Sequence, residues 1–250
     1  MVVWVFAGGG ETEARGLLPF LESLFPNCIF ERKFPVGIKK NPLKPRSVIG
    51  RTDDEYRVQQ RAQARGATGN RLTEQIGLRL SYAISHGETC DLILVFDDLD
   101  CRDSDLQSRK FKEAIESVVG DQFPTLICFA APEIESWIIA DWDHAMSQHA
   151  FFKSSFVEMK LCLQGQHNVS FDNPESFSEF DISKGSCRDK LSAAMQQCAT
   201  EFASKPYSKG EDSSYLIKQL DPEIVRRKCR YFRELFVSLT AFCNNGNSPV

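Results

Sequence analysis

Residues 91–100 have the sequence DLILVFDDLD, in which five consecutive apolar residues lead into a group of aspartates. A continuous apolar run of this length favours a strand that is buried on both faces of a parallel sheet. Residues 2–7, VVWVFA, form a second such run and are followed at once by the glycines of residues 8–10. A helical apolar spacing follows these glycines, so the order strand, turn, helix predicts the α/β class.

The rest of the chain completes this pattern and then departs from it. Residues 27–34 and 124–131 predict two further strands, with helical spacings between the strands. We therefore predict a Rossmann-like, mainly parallel four-stranded sheet flanked by helices over residues 1–145. The strand signal fades after that point, so residues 146–250 are predicted to form a mostly helical extension packed on the first domain.

Composition sets broad limits on the function. The chain has 250 residues, of which 42% are hydrophobic and 26% charged, with a net charge of −4. These values are ordinary for a globular protein and exclude disorder throughout or a uniformly basic nucleic-acid coat. Apolar runs fall far short of the ~20 residues that a membrane helix needs, and the first residues lack the features of a secretion signal. We therefore expect a cytoplasmic protein with no membrane partner.

The nine cysteines support the same expectation. Their number is odd, and no two of them form a CxxC pair. This usage is typical of reduced thiols that serve as small apolar side chains in the cytosol. The spacing of cysteines and histidines also gives no indication of a zinc site.

Acidic residues follow three of the four predicted strands. They are Glu11 and Glu13 after the first strand, Asp97, Asp98 and Asp100 after the third, and Glu133 and Glu135 after the fourth. The carboxyl ends of parallel strands meet at one edge of a sheet, so we expect these side chains to lie together, with Asp98 and Asp100 facing solvent. Clustered carboxylates repel one another unless a cation neutralises them, and carboxylate oxygens suit Mg²⁺ or Mn²⁺.

Each of these motifs also has a plainer interpretation. The glutamates after the first strand could favour a helix dipole, and the aspartates after the third could cap a helix. The glycines at residues 8–10 could form a tight turn or a phosphate cradle, although they match neither a Walker A motif nor GxGxxG. Lys209 and Gly210 suggest a turn from which the lysine could reach a phosphate.

Residues 31–71 are strongly basic. They contain eleven Lys or Arg residues and four Asp or Glu residues, a local net charge of +7. The candidate nucleic-acid-binding residues among them are Lys39, Lys40, Lys44, Arg46, Arg57, Arg61 and Arg65. The last three are spaced four apart, as on one face of a helix. This face could follow a phosphate backbone, or it could simply be a solvated surface.

Several segments resemble known families. A glycine turn with acids after the first strand, and a DxD motif after a buried strand, look like the Toprim fold of topoisomerases, primases and nucleases related to the overcoming-lysogenization-defect family. More closely, residues 9–13 (GGETE), 97–100 (DDLD), 133–141 (EIESWIIAD), 207–210 (YSKG) and 230–232 (RYF) resemble the Toprim-like domain-of-unknown-function family 4276. The 133–141 segment is the most specific of these matches.

The resemblance implies a Mg²⁺- or Mn²⁺-dependent nuclease. Asp98 and Asp100 would be catalytic metal ligands, with Asp97, Glu133 and Glu135 completing the shell. It further implies that the protein is the effector of a prokaryotic anti-phage defence system, paired with an AAA/ABC-type ATPase, and it allows a homo-oligomer.

The first strand departs from the Toprim pattern. Toprim nucleases carry a glutamate at its tip, where this chain has Ala7 or Gly9. Glu11 or Glu13 would therefore have to serve as the second metal ligand or the base for water. The alternative is a catalytically degenerate Toprim-like subunit that binds a nucleotide or a partner protein.

The basic helix face can be tested by salt dependence. Replacing Arg57, Arg61 and Arg65 by Ala should weaken nucleic-acid binding without sequence preference. Each lost phosphate contact should lower the slope of log K against log salt by about 0.7–0.9. An unchanged slope in fluorescence anisotropy titrations would mean that this face is only solvated surface.

Overall fold

The protein is described by a computed structural model, which covers residues 1–9, 12–34 and 68–245. Its strands are β1 Val2–Ala7, β2 Ile29–Phe34, β3 Leu92–Asp98, β4 Thr125–Ala130, β5 Phe180–Asp181 and β6 Ser186–Cys187. A π-helical turn, Glu13–Leu17, leads into α1 Leu18–Leu24. The other helices are α2 Asn70–Ser85, α3 Ser104–Val119, α4 Glu135–Ala140, α5 Trp142–Ser147, α6 Phe156–His167, α7 Leu191–Phe202, α8 Asp212–Ile217, α9 Pro222–Lys228 and α10 Arg230–Asn245.

The central sheet confirms the predicted fold class. Its strands are parallel and lie in the order β2-β1-β3-β4, with helices on both faces. All seven residues of β3 are buried, as its continuous apolar sequence predicts for a central strand. The carboxyl ends of β1 and β3 therefore lie side by side at one edge.

Alternate residues of each strand face two different apolar cores. In β1, Val3 and Val5 face one core, while Trp4 and Phe6 face the other. The first core continues through the helices after residue 134 as far as Cys243. The domain boundary near residue 145 stays a prediction, and the apolar packing runs across it.

The cysteines correct one expectation. Six of the nine are paired as Cys28–Cys243, Cys101–Cys187 and Cys162–Cys198. The prediction of unpaired thiols is therefore wrong for these six. The physical reason is that the partners lie 36 to 215 residues apart in sequence, and the fold brings their Cα atoms within 5.0–6.2 Å. The cytoplasmic location, which rested partly on reduced thiols, stays a prediction.

None of the helices within the described ranges combines the length and the apolar character that crossing a membrane requires.

A glycine permits the close packing of the π-helical turn against α8. A Cβ atom on Gly16 would lie 2.9 Å from the Cα of Ser214, whereas one on Gly165 in α6 would meet no atom within 4 Å. Gly16→Ala should therefore lower the free energy of unfolding by about 1–3 kcal/mol through overpacking. The matched Gly165→Ala should raise it by up to about 1 kcal/mol. Urea denaturation of both variants checks this pair, and equal effects would contradict the packing argument.

Candidate metal centre

Three carboxylates meet where β3 and β4 leave the sheet. Asp98 is the last residue of β3 and pairs in register with Ala130 of β4. Glu133 and Glu135 follow β4 at the start of α4. Oxygen atoms of Asp98, Glu133 and Glu135 lie within 4.8 Å of one another, and we call these three residues the carboxylate cluster. The expectation that Asp98 faces solvent is wrong, since its exposed fraction is 9%. The reason is that the segment after β4 and Lys209 cover it.

The ammonium group of Lys209 lies at the centre of the carboxylate cluster. Its Nζ is 3.1 Å from Asp98 Oδ2, 2.9 Å from Glu133 Oε1 and 3.1 Å from Glu135 Oε2. The lysine side chain keeps 38% exposure, whereas the Glu135 side chain has none. One cation of the chain therefore bridges three acidic groups from the solvent side.

Each carboxylate also accepts a hydrogen bond at the oxygen that is not paired with Lys209. These bonds orient the carboxylates so that their other oxygens face the ammonium group. A backbone or hydroxyl donor binds each carboxylate: Ile134 N–H donates to Asp98 Oδ1 (2.8 Å), Ser192 N–H to Glu133 Oε2 (3.0 Å) and Ser213 Oγ–H to Glu135 Oε1 (2.7 Å).

The loop that carries Lys209 is anchored at both ends. The hydroxyl of Thr12, which follows the glycine turn, donates to the Lys209 carbonyl at 2.8 Å. Buried Asp212 accepts from Ser208 N–H at 2.7 Å and from Lys205 Nζ at 2.8 Å. These contacts hold the backbone of Lys209 in place. The loop therefore does not have to become ordered when the ammonium group contacts the cluster.

Asp97 and Asp100 lie in a neighbouring group around Arg102. Asp97 Oδ2 accepts from Gly69 N–H at 3.0 Å and from Arg102 Nη2 at 3.2 Å. Gly69 has φ +55°, a backbone conformation that favours glycine. Asp100 pairs with Lys190 and lies 3.6 Å from Arg102 Nη2. The structure thus places Asp100 with these cations and outside the carboxylate cluster.

Burial shifts the titration of these groups. Desolvation raises the pKa of Asp97 to about 7 and that of Glu135 to about 7, against the opposing charges of Arg102 and Lys209. Burial also raises the pKa of Asp98. Burial of Glu133 is outweighed by the charge and hydrogen bonds around it, which lower its pKa. Although burial of Lys209 favours the neutral amine, the three carboxylates raise its pKa above the ordinary value.

The described contacts leave an excess of acid. The cluster and the Arg102 group together contain five carboxylates and three cations, a net charge of −2 when all are ionised. Within the described ranges, two buried carboxylate oxygens form no hydrogen bond, Asp97 Oδ1 and Glu135 Oε2, and the second of these lies 3.1 Å from Lys209 Nζ as an ion pair. Hard oxygen donors with this excess charge fit a divalent ion such as Mg²⁺ or Mn²⁺.

A cavity adjoins the site through Arg102. Its volume is about 680 Å³, and its lining includes Asn70 at the start of α2, Lys110 on α3 and Phe180 on β5. This volume lies within the usual range for small-molecule sites. Two cationic side chains, Arg102 and Lys110, therefore border an open space beside the carboxylates.

Several predicted site residues cannot be placed. Glu11 and the seven candidate nucleic-acid-binding cations lie outside the described residues, as does the side chain of Glu13, whose backbone begins the π-helical turn. Of the predicted metal ligands, the structure brings together Asp98, Glu133 and Glu135.

Sequence reasoning gave little weight to the residue at the centre, Lys209. It lies 76 positions after Glu133, so no local pattern links them. The usable signal was the resemblance of residues 207–210 to the family motif.

Comparison with known proteins gives one match. The sequence model of the family described as Domain of unknown function (DUF4276) matches residues 38–240. No curated protein and no solved structure matches the chain.

The raised carboxylate pKa values predict a pH-dependent stability. The folded state binds protons at Asp97 and Glu135 more tightly than the unfolded chain, so their stabilising contribution is complete below about pH 4 and is lost by about pH 7. Relative to Asp97→Asn, the wild type should lose about 2–3 kcal/mol of unfolding free energy between pH 5 and pH 8. Asp172→Asn, at a 99% exposed side chain, is the control. Unfolding free energies from urea denaturation that change with pH equally in wild type and Asp97→Asn would contradict the shift in pKa.

Removing the central cation should destabilise the fold. Lys209→Met leaves three buried carboxylates without their cation, at a cost of about 3 kcal/mol at pH 8 and less at pH 5, where the carboxylates take up protons. Added Mg²⁺ should stabilise this variant more than the wild type, since the ammonium no longer competes. Lys190→Met is the matched control, because Lys190 is about as exposed as Lys209, at 39% against 38%, and among the described residues its ion pair is with Asp100, outside the cluster. Thermal melts that show equal losses for both variants would contradict the central role of Lys209.

Proposed function

This chain belongs to the DUF4276 family, and we propose that it is a Mg²⁺- or Mn²⁺-dependent hydrolase of phosphodiester bonds in nucleic acid. The observation that carries the proposal is the carboxylate cluster at the carboxyl edge of the parallel sheet, where ligands of such sheets bind. Buried ion pairs add little stability, since apolar side chains of equal volume are often at least as stabilising. Stability alone therefore does not explain a buried group of three acids.

Asp98, Glu133 and Glu135 would hold the ion, which when bound polarises a phosphoryl oxygen and lowers the pKa of water. Without an ion, burial raises the pKa of Glu135 to about 7, and a bound ion would displace this proton so that Glu135 acts as an anionic ligand. Ser213 Oγ–H orients this carboxylate, and the hydroxyl of Tyr207 contacts Ser213 in turn. Lys209, which an ion at the cluster would shift from its place between the carboxylates, would add a positive charge beside a bound phosphate.

The choice of nucleic acid rests on charge. Residues 31–71 carry a net charge of +7, and the cavity next to the Arg102 group has Arg102 and Lys110 on its wall. Cations of this kind bind a phosphate backbone without reading its bases. We extend the proposal, on the resemblance of residues 97–100 and 133–141, to a Toprim-like effector that works with an AAA/ABC-type ATPase in anti-phage defence.

A second candidate function is a non-catalytic subunit that binds a nucleotide or a partner protein. The observation that favours it is Lys209 itself, which already occupies the space between the three carboxylates as a cation of the chain. The place of the Toprim glutamate at the tip of the first strand is also taken by Ala7 or Gly9, neither of which offers an acid or a base.

The two candidates are separated by cleavage assays on plasmid DNA and structured RNA with Mg²⁺ or Mn²⁺. Asp98→Asn should remove metal-dependent cleavage because it removes an anionic ligand. Glu135→Gln keeps the size and the hydrogen bond from Ser213 but removes an anionic ligand, so it should weaken metal binding and slow cleavage at least about tenfold. Asp172→Asn, far more exposed, should cleave like the wild type.

Wild-type protein that binds neither ion in calorimetry and cuts neither substrate would overturn the hydrolase and leave the binding subunit. Cleavage that survives in both variants would place the chemistry elsewhere.

A further inference from the structure

A second group of ligating side chains lies between α6 and α7, on elements that carry no part of the carboxylate cluster. Cys162 and His167 are on α6, and Cys198 is on α7. Both sulfur atoms and a ring nitrogen of His167 lie within 4.8 Å of one another. The expectation that the chain has no zinc-type grouping came from local spacing, which does not register a ligand 31 residues further along the sequence.

The histidine in this group lacks a partner. Its Nε2 is enclosed and has no hydrogen bond within the described parts of the chain. An enclosed ring nitrogen without a partner costs about 1–3 kcal/mol. The end of α6 fixes the backbone at His167, because Asn168 has the left-handed conformation and the Val169 N–H donates to the Leu163 carbonyl at 3.0 Å. A bound cation would satisfy this nitrogen.

We propose that Cys162, His167 and Cys198 form a binding site for a thiophilic metal ion such as Zn²⁺, which opens when the Cys162–Cys198 disulfide is reduced. Two thiolates and an imidazole are the ligands that zinc selects over the oxygen ligands of Mg²⁺. A tetrahedral zinc ion holds such ligand atoms about 3.5–3.8 Å apart, a spacing compatible with atoms already within 4.8 Å. The fourth position would be left to water.

Reduction converts the disulfide state of the site into the state that binds the metal ion. A dithiol reductant transfers two electrons and two protons to the disulfide and is itself oxidised to a cyclic disulfide, which leaves two cysteine thiols. Zn²⁺ then binds both sulfurs as thiolates and the neutral imidazole, and the two thiol protons are released. In the reverse direction, a small disulfide accepts two electrons from the two thiolates and takes up two protons to become two thiols, which re-forms Cys162–Cys198 and releases Zn²⁺. Metal binding and disulfide formation therefore exclude each other at this site.

The other two disulfides provide an internal comparison. Cys28–Cys243 and Cys101–Cys187 do not belong to any group of three potential ligands within the described ranges. Reduction of either pair should therefore yield two thiols without a third ligand. This difference makes the Cys101–Cys187 pair a matched control for Cys162–Cys198.

Co²⁺ is a probe that separates this site from the carboxylate cluster, since thiolate-to-cobalt charge transfer gives absorption bands that oxygen ligands do not. The full chain, treated with a chelator, reduced with dithiothreitol and then separated from both under nitrogen, should bind one Co²⁺ with these bands, and Zn²⁺ should displace it. The oxidised chain should show no such bands. Asp98→Asn should leave them unchanged.

His167→Ala should weaken Co²⁺ binding at least about tenfold and alter the bands, because it removes a ligand. The double variant Cys162→Ser/Cys198→Ser should abolish them, whereas Cys101→Ser/Cys187→Ser should retain them. Circular dichroism checks that each variant is folded, and the partly exposed His167 provides the test if the buried cysteine pair does not tolerate serine. Absent bands in the reduced wild type, unchanged binding in His167→Ala, or equal losses in both double variants would overturn the site.

Discussion

The ion pairs between Lys209 and three carboxylates are the interaction on which the carboxyl edge of the sheet depends. Asp98 ends β3, while Glu133 and Glu135 precede and begin α4, so these charges come from two strand ends that repel each other when brought together. The lysine arrives from the loop before α8, which Thr12 and Asp212 anchor. Lys209 thus connects the turn after β1, the edge of the sheet and the C-terminal helices. Its positive charge allows three carboxylates to be buried at a place that apolar side chains would otherwise fill.

The same lysine sets the condition for any metal chemistry. It lies about 3 Å from each carboxylate, so a divalent ion bound by all three would have to share their oxygens with the ammonium or displace it. The acid excess of the surrounding described groups makes either arrangement electrostatically reasonable. Partial protonation of Asp97 and Glu135 near pH 7 relieves the repulsion without an ion, and an ion would release those protons.

Much of the framework could be predicted from the sequence, because it follows from local patterns. The unbroken apolar run of β3 specified a central parallel strand, and acids directly after β3 and β4 specified a common edge. Lys209 and the partner of each paired cysteine could not be found this way, since their contacts span 36 or more residues and leave no periodic trace. Asp100 was misleading for a related reason. Its distance from Asp98 in sequence suggested a shared ion, but its left-handed backbone, with φ 51°, accompanies pairing with Lys190.

The central claim is that Asp98, Glu133 and Glu135 bind a divalent ion. A crystal of the full chain soaked in Mn²⁺ tests it most directly, because anomalous scattering locates manganese without assumptions about its ligands. We expect a peak within coordinating distance of these three carboxylates, with Lys209 shifted from its place between them. A crystal that shows Lys209 unmoved and no anomalous peak at this edge of the sheet would contradict the claim.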